Sequence, residues 1–176
     1  MKPELQRLLD REVSVCIEGR CSLNWQTDRK GVTVAWCRLQ NSGDLLGVAR
    51  LLKDSCARLS TITASLPEHA RESGMHEIAY HFDLDGDTLT FSVTIPIGGE
   101  VDSLAPLFRN ADWNEREFME LYNIKVRGCI KHERLFLDET IDSSVLERLI
   151  PFSTLVNAAS TKTLWERILV KSEGEQ

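Results

Sequence analysis

The stretch "EIAYHFDLDGDTLTFSVTIPI", residues 77–97, leaves the chain little choice of local fold. Ile78, Tyr80, Phe82 and Leu84 alternate with other residues, and Leu89, Phe91, Val93, Ile95 and Ile97 alternate in the same way further on. A period of two puts each set on one face of a strand. Asp85-Gly86 between them supplies the positive φ angles of a two-residue turn. The stretch therefore predicts a β-hairpin with one apolar face. Thr88, Thr90, Ser92 and Thr94 fall on the other face, so the sheet is expected to be covered by helices on one side and wet on the other.

The residues before the hairpin supply that cover. "VTVAWCR", residues 32–38, reads as a strand with Val32, Val34 and Trp36 on one face and a mixed set on the other. "QNSGD" then offers the cap formers Asn41, Ser42 and Asp44, and Leu45, Leu46, Val48, Ala49, Leu51 and Leu52 recur with helical spacing to about Ser55. "RLSTITASL", residues 58–66, is rich in Thr and Ile and stops at Pro67, as a strand does.

After the hairpin comes "NADWNEREFMELYNIKVRG", residues 110–128. Asp112 followed by Glu115 is an Asp form of the capping box, which predicts a helix from Trp113. Asn123 tolerates the left-handed stop beyond a helix, where Ile124 would meet Met119. The order is β-α-β-β-β-α. It predicts an α+β, sandwich-like domain with a mixed sheet of about four strands over residues 30–137. Residues 1–29 are expected to form a helical or extended arm. Residues 138–176 are expected to be a helical extension with a polar tail, carrying "SSVLERLI" and "TKTLWERILV".

Helical spacing sorts the charges of the third element. Trp113, Phe118, Leu121 and Tyr122 spread over one half of the wheel, and Glu115, Arg116 and Glu120 occupy the other. Glu115 then reads as a cap, and Arg116 with Glu120 as a surface i,i+4 pair. Glu117 falls in the apolar arc, where a carboxylate needs a cation or several donors. Its expected partner is Arg109, Arg127 or Arg134, or another subunit. No nucleophile or second acid is spaced beside it for catalysis, and His81, alone in a strand, reads as a hydrogen-bonded or surface residue.

Composition narrows the classes further. A net charge of -6 argues against a nucleic-acid partner, which calls for clustered Lys and Arg. Five scattered cysteines, Cys16, Cys21, Cys37, Cys56 and Cys129, without a Cys-x-x-Cys, fit reduced thiols in a cytoplasmic protein. His69, His76, His81 and His132 form no ligand-spaced cluster, so no bound metal or iron-sulfur cluster is expected in this chain. The first residues read as a short amphipathic helix without a signal-peptide pattern. The uncharged run "LIPFSTLVNAAS" is too short to span a bilayer, so membrane association is expected only through partners.

The stretch "SLAPLFRNADWNEREFMELYNIKVRG" resembles the signature of the 30 kDa subunit family of NADH-quinone oxidoreductase (respiratory complex I), shared with complex I-like membrane-bound nickel-iron (NiFe) hydrogenases and formate hydrogenlyases. Ser103, Phe108, Ala111, Trp113, Glu115, Arg116, Glu117, Leu121, Tyr122, Ile124 and Gly128 stand in register with it. Met119, Glu120 and Asn123 depart from it mildly. "GCIKHERLFL" departs more, keeping Gly128 and Arg134 but not the family's His-Pro and paired arginines, and this points towards the hydrogenase branch. The resemblance implies a subunit with no cofactor of its own, held peripherally on the cytoplasmic side of a membrane complex. It implies packing against a large subunit, of the NiFe hydrogenase or complex I 49 kDa type, and a small iron-sulfur subunit. Those partners would carry the NiFe site or the iron-sulfur clusters. The signature residues expected at the interface are Trp113, Glu115, Arg116, Glu117, Glu120, Tyr122, Gly128 and Arg134.

Overall fold

In a computed structural model that describes residues 3–66, 74–129, 131 and 133–137, the hairpin forms the middle of a five-stranded sheet. Strands β4 (Met75–Leu84) and β5 (Asp87–Pro96) pair antiparallel, with Ile78 opposite Val93, Tyr80 opposite Phe91 and Phe82 opposite Leu89. Asp85 and Gly86 take φ of 55° and 83°, the mirror-image turn that matches strand twist. The expected apolar face is buried from Ile78 to Ile95.

The remaining strands build outward from this pair. Strand β2 (Thr33–Arg38) lies parallel to β5, and β1 (Asn24–Thr27) pairs antiparallel with β2 at one edge. Strand β3 (Arg58–Ser65) pairs antiparallel with β4 at the other edge. The sheet order β1-β2-β5-β4-β3 means that the chain passes β5 and β4 between β2 and β3, through helix α2 (Leu45–Asp54). A separate two-stranded parallel pair joins β6 (Glu100–Asp102) to β7 (Lys125–Arg127). The α+β class and the mixed sheet are as expected; the strand number is higher, because β1, β6 and β7 span only three or four residues and show no period.

Helix α2 buries Leu45, Val48, Ala49 and Leu52, one stripe at helical spacing, on the apolar side of the sheet. Helix α1 (Pro3–Cys16) adds Leu9 and Val13 to the same core, followed by Ile17. The Trp25 indole N–H donates to Asp10 at 2.8 Å, and Arg20 meets Asp44 at 2.6 Å, so the stretch before residue 30 is tied into this domain.

Register decides which face of β2 turns inward. Ala35 lies beside Leu89 and Cys37 beside Phe91, and neighbours in a ladder share a face, so the small residues point into the core. Val34 and Trp36 pair with Thr88 and Thr90 instead and lie on the open face, with Trp36 half exposed. That face is less wet than expected. Thr90 is buried, His81 sits 3.0 Å from it and 3.2 Å from Thr63, and Trp36 meets the imidazole edge-on. Burial lowers the pKa of His81.

The expectation of five reduced thiols is also corrected. The β1–β2 ladder brings Cys21, just before β1, within 6.5 Å (Cα to Cα) of Cys37, and the two are joined by a disulfide. Cys16, Cys56 and Cys129 are free. The described residues all belong to one compact unit. The expected helices at 143–150 and 161–170, the whole 138–176 extension, His69 and His132 lie outside them.

Candidate functional site

The signature residues gather around helix α3 (Ala111–Tyr122), which lies along β3 at the sheet edge. Two asparagines one turn apart make the attachment. The Asn110 amide donates to the Leu59 carbonyl at 2.7 Å, and the Asn114 side-chain oxygen accepts from the Thr61 hydroxyl at 3.1 Å and the Ile62 N–H at 3.4 Å. These groups flank a bulge between Leu59 and Thr61, and the helix covers an edge that would otherwise be open. Sequence reasoning misses both asparagines; two amides at i,i+4 on a helix are the available signal.

The expected start of this helix is corrected. It begins at Ala111 after Asn110, whose φ of -73° and ψ of -13° are helical and whose side chain makes no cap bond. Asp112 lies inside the first turn, 3.9 Å from Arg116, and Glu115 caps nothing. Glu115 is instead 1% exposed. One carboxylate oxygen accepts from the Ser103 hydroxyl and the other from the Leu104 N–H, each at 2.6 Å, while the Ser103 oxygen accepts from the Ala105 N–H at 3.1 Å. The acid therefore holds the 103–105 turn. Burial raises its pKa, and the donors only partly oppose that. Tyr80 is pushed up as well, first by its own burial and then by the charges of Glu115 and Asp102.

Arg116 and Glu120 do not pair with each other, contrary to expectation. Both grip the segment 133–137. The Arg116 guanidinium donates to the carbonyls of Glu133 at 2.8 Å and Arg134 at 3.0 Å. The Glu120 carboxylate accepts from the N–H groups of Leu135 and Phe136, both at 3.0 Å, and from that of Leu137. Cation meets carbonyls and anion meets amides, so each charge satisfies main-chain groups of one passing strap. Burial pushes the Glu120 pKa up, but the three amides and the charge of Arg134 outweigh it and hold it below the ordinary carboxylate range.

The apolar arc assigned to α3 is rotated from its expected position. The buried face carries Ala111, Glu115 and Phe118, with Glu120 under the strap, while Trp113 is 63% exposed. The wheel fails because it scores a fully hydrogen-bonded carboxylate as polar. Glu117 is half-buried, and among the described residues it makes no hydrogen bond or ion pair. Arg127, one of its expected partners, is engaged by Asp102 at 3.0 Å and Glu100 at 3.4 Å. The Tyr122 ring stands edge-on to buried His76 at 5.6 Å. Asn123 takes φ 52° and ψ 29°, the expected left-handed stop. Gly128 turns the chain out of β7 at φ +78°.

Chemically, this arrangement builds structure. The two buried acids of α3, Glu115 and Glu120, are both engaged by donors from their own chain, which leaves neither poised as a base. Among the described residues no three His, Cys, Asp or Glu side chains converge on a metal-sized site, and no helix is long and apolar enough to cross a membrane.

A buried acid on an aromatic helix, holding a Ser-Leu turn and a following strap, defines a signature-bearing α+β domain, and comparison with known proteins places it. Residues 40–156 match the model of the respiratory-chain NADH dehydrogenase 30 kDa subunit family, more than half of the 176 residues. The chain belongs to that family. It is 28% identical over 120 residues to the C subunit of the NADH-quinone oxidoreductase of Rhodopseudomonas palustris strain TIE-1, and equally to that of strain ATCC BAA-98 / CGA009. The alignment covers 66% of this chain and 59% of each relative. The fold is also similar to a chain in the structure of the membrane-bound sulfane sulfur reductase, an archaeal respiratory membrane complex, with a TM-score of 0.51, 17% identity and coverage of 73% and 76% of the two chains.

Proposed function

We propose that the chain is the 30 kDa-type component of a complex I-like membrane-bound oxidoreductase, of the NADH-quinone branch. It holds no cofactor and acts as an assembly element. It packs against the large catalytic subunit and the small iron-sulfur subunit on the cytoplasmic side, and those partners carry the redox centres. The observation that carries this reading is the match of residues 40–156 to the 30 kDa subunit family. The geometry agrees, since the signature acids Glu115 and Glu120 serve the chain's own architecture and leave Trp113 facing outward.

The hydrogenase branch, towards which the sequence points, rests on the altered "GCIKHERLFL" segment. The geometry weakens that argument. Arg116 and Glu120 grip residues 133–137 through main-chain carbonyls and amides, which every residue type offers, so changed side chains there need not change the fold. The names of the curated relatives favour the NADH-quinone branch as well.

The test is a chromosomally tagged chain purified from detergent-solubilised membranes, together with a deletion strain. A large subunit and iron-sulfur subunits should co-purify, and deletion should abolish NADH-driven quinone reduction in membranes while sparing hydrogen oxidation. The reverse activity loss would assign the hydrogenase branch, and a chain that brings down no such subunits would reject both.

A further inference from the structure

The exposed end of α3 opens onto a cavity of about 320 Å³ lined by Ala105, Arg109, Asp112, Trp113 and Lys131. Its chemistry is unbalanced. Among the described residues, the side chains of Arg109 and Lys131 enter no ion pair or hydrogen bond, although the chain as a whole carries a net charge of -6. Asp112 is answered by Arg116 through one oxygen, while its other oxygen is buried without a hydrogen-bond partner. Trp113 at the rim is 63% exposed, and Phe136, on the strap gripped by Glu120, is equally exposed. Two free cations, an acceptor lacking a donor and an outward indole in one concave place are what the anchor region of a protein interface contains.

Resting on the function proposed above, we propose that this cavity seats an acidic side chain, Asp or Glu, from the large subunit. The carboxylate lies between Arg109 and Lys131, a neighbouring N–H or hydroxyl of the same segment donates to the free oxygen of Asp112, and apolar surface beside it covers the Trp113 ring. Charge selects the occupant. An acidic segment is repelled by most of this chain's surface and attracted here, so the pair of cations sets register as well as affinity. A free small anion would satisfy the cations but leave the indole in water, which is why a macromolecular partner fits better.

The purified complex is treated with a zero-length carbodiimide, which condenses a carboxyl with a contacting amine. The expected product is an amide between Lys131 and an Asp or Glu of the large subunit, absent in Lys131→Arg although that complex still assembles. Links from Lys131 only to acids of its own chain, including residues 138–176, or no link at all, would overturn the seat. In parallel, the double variant Arg109→Glu, Lys131→Glu and the single variant Trp113→Ala should each retain at least about tenfold less large subunit, while the isolated variants melt with the wild type because these side chains are exposed. Undiminished retention by both rejects the seat and leaves the subunit reading standing. A wild-type chain that retains no large subunit rejects the subunit reading itself.

Discussion

Helix α3 carries two carboxylates that are nearly shut off from solvent, and their surroundings differ in kind. Glu115, 1% exposed, faces inward and holds a turn through one hydroxyl and one amide, with no cation beside it. Glu120, 5% exposed, faces outward under a single strap and receives three successive amides plus the charge of Arg134. Desolvation dominates at the first and donors at the second, so their pKa values move apart, up for Glu115 and down for Glu120. Low exposure alone therefore says little about a carboxylate's charge; what matters is whether donors replace the water.

The largest test of that contrast is Glu115→Ala. It strands the Ser103 hydroxyl and the Leu104 N–H in the interior and leaves a hole, which should lower unfolding stability by about 3 to 5 kcal/mol. Glu115→Gln restores shape but turns an amide N–H₂ towards one of those donors, and should lose about half as much. Denaturant midpoints of the isolated chain measure both. If the alanine variant costs less than about 1 kcal/mol, the inward site is not holding the turn.

Glu120→Gln comes next, at about 1 to 3 kcal/mol, because a neutral amide accepts the strap's N–H groups more weakly. This loss has a pH signature. A carboxylate whose folded pKa is lowered contributes stability above its unfolded value, and that contribution disappears as pH falls through the lowered pKa. Glu115 behaves oppositely. Its raised pKa means that the folded state keeps a proton the unfolded chain gives up, so stability falls as pH rises from the ordinary carboxylate value through the raised one. Midpoints measured against pH should thus show an acid-side decline that flattens in Glu120→Gln, and a decline above the ordinary carboxylate range that flattens in Glu115→Gln. Parallel profiles for wild type and both variants would remove the contrast.

Sequence makes the scaffold of this contrast legible but not the contrast itself. The hairpin can be read because a period of two and an Asp-Gly turn are local signals, and Asn123 because a left-handed stop depends on one residue. The partners of Glu115 and Glu120 cannot be read. They are main-chain groups of Leu104 and of residues 135–137, and no side-chain pattern announces which peptide N–H a carboxylate will meet. Ser103 is visible as a signature residue, but its bond to Glu115 spans a turn whose geometry is tertiary. The inward face of β2 cannot be read for the same reason, since pairing with β5 is what turns its small residues inward.

A smaller effect bears on the end of the helix that joins the two sites to β7. Asn123 sits at φ 52°, where a β-branched side chain crowds the backbone and glycine does not. Asn123→Val should cost about 1 to 2 kcal/mol, and Asn123→Gly should be neutral or slightly stabilising, again by denaturant midpoint. Equal tolerance of both would mean that the stop is not a left-handed one in solution.

The smallest expected effect is at Glu117, and it separates the structure from the helical wheel most directly. The wheel places this acid in the apolar arc, where neutralising it would strand a buried cation; the structure leaves it half-buried, without a hydrogen bond or ion pair among the described residues, while Arg127 is engaged by Asp102 and Glu100. Its one electrostatic trace is on the neighbouring Tyr122, whose pKa is raised first by burial and then by the Glu117 charge. Glu117→Gln in the isolated chain should therefore change stability by no more than about 0.5 kcal/mol, as is usual for a solvated surface position, and should shift the Tyr122 titration slightly downward. Thermal melting and the ultraviolet titration of tyrosinate check the two halves independently. A loss of several kcal/mol would return Glu117 to the interior and exchange its role with Glu115. An unchanged melt combined with weaker retention of the large subunit would instead mark it as a carboxylate whose partner lies across the interface.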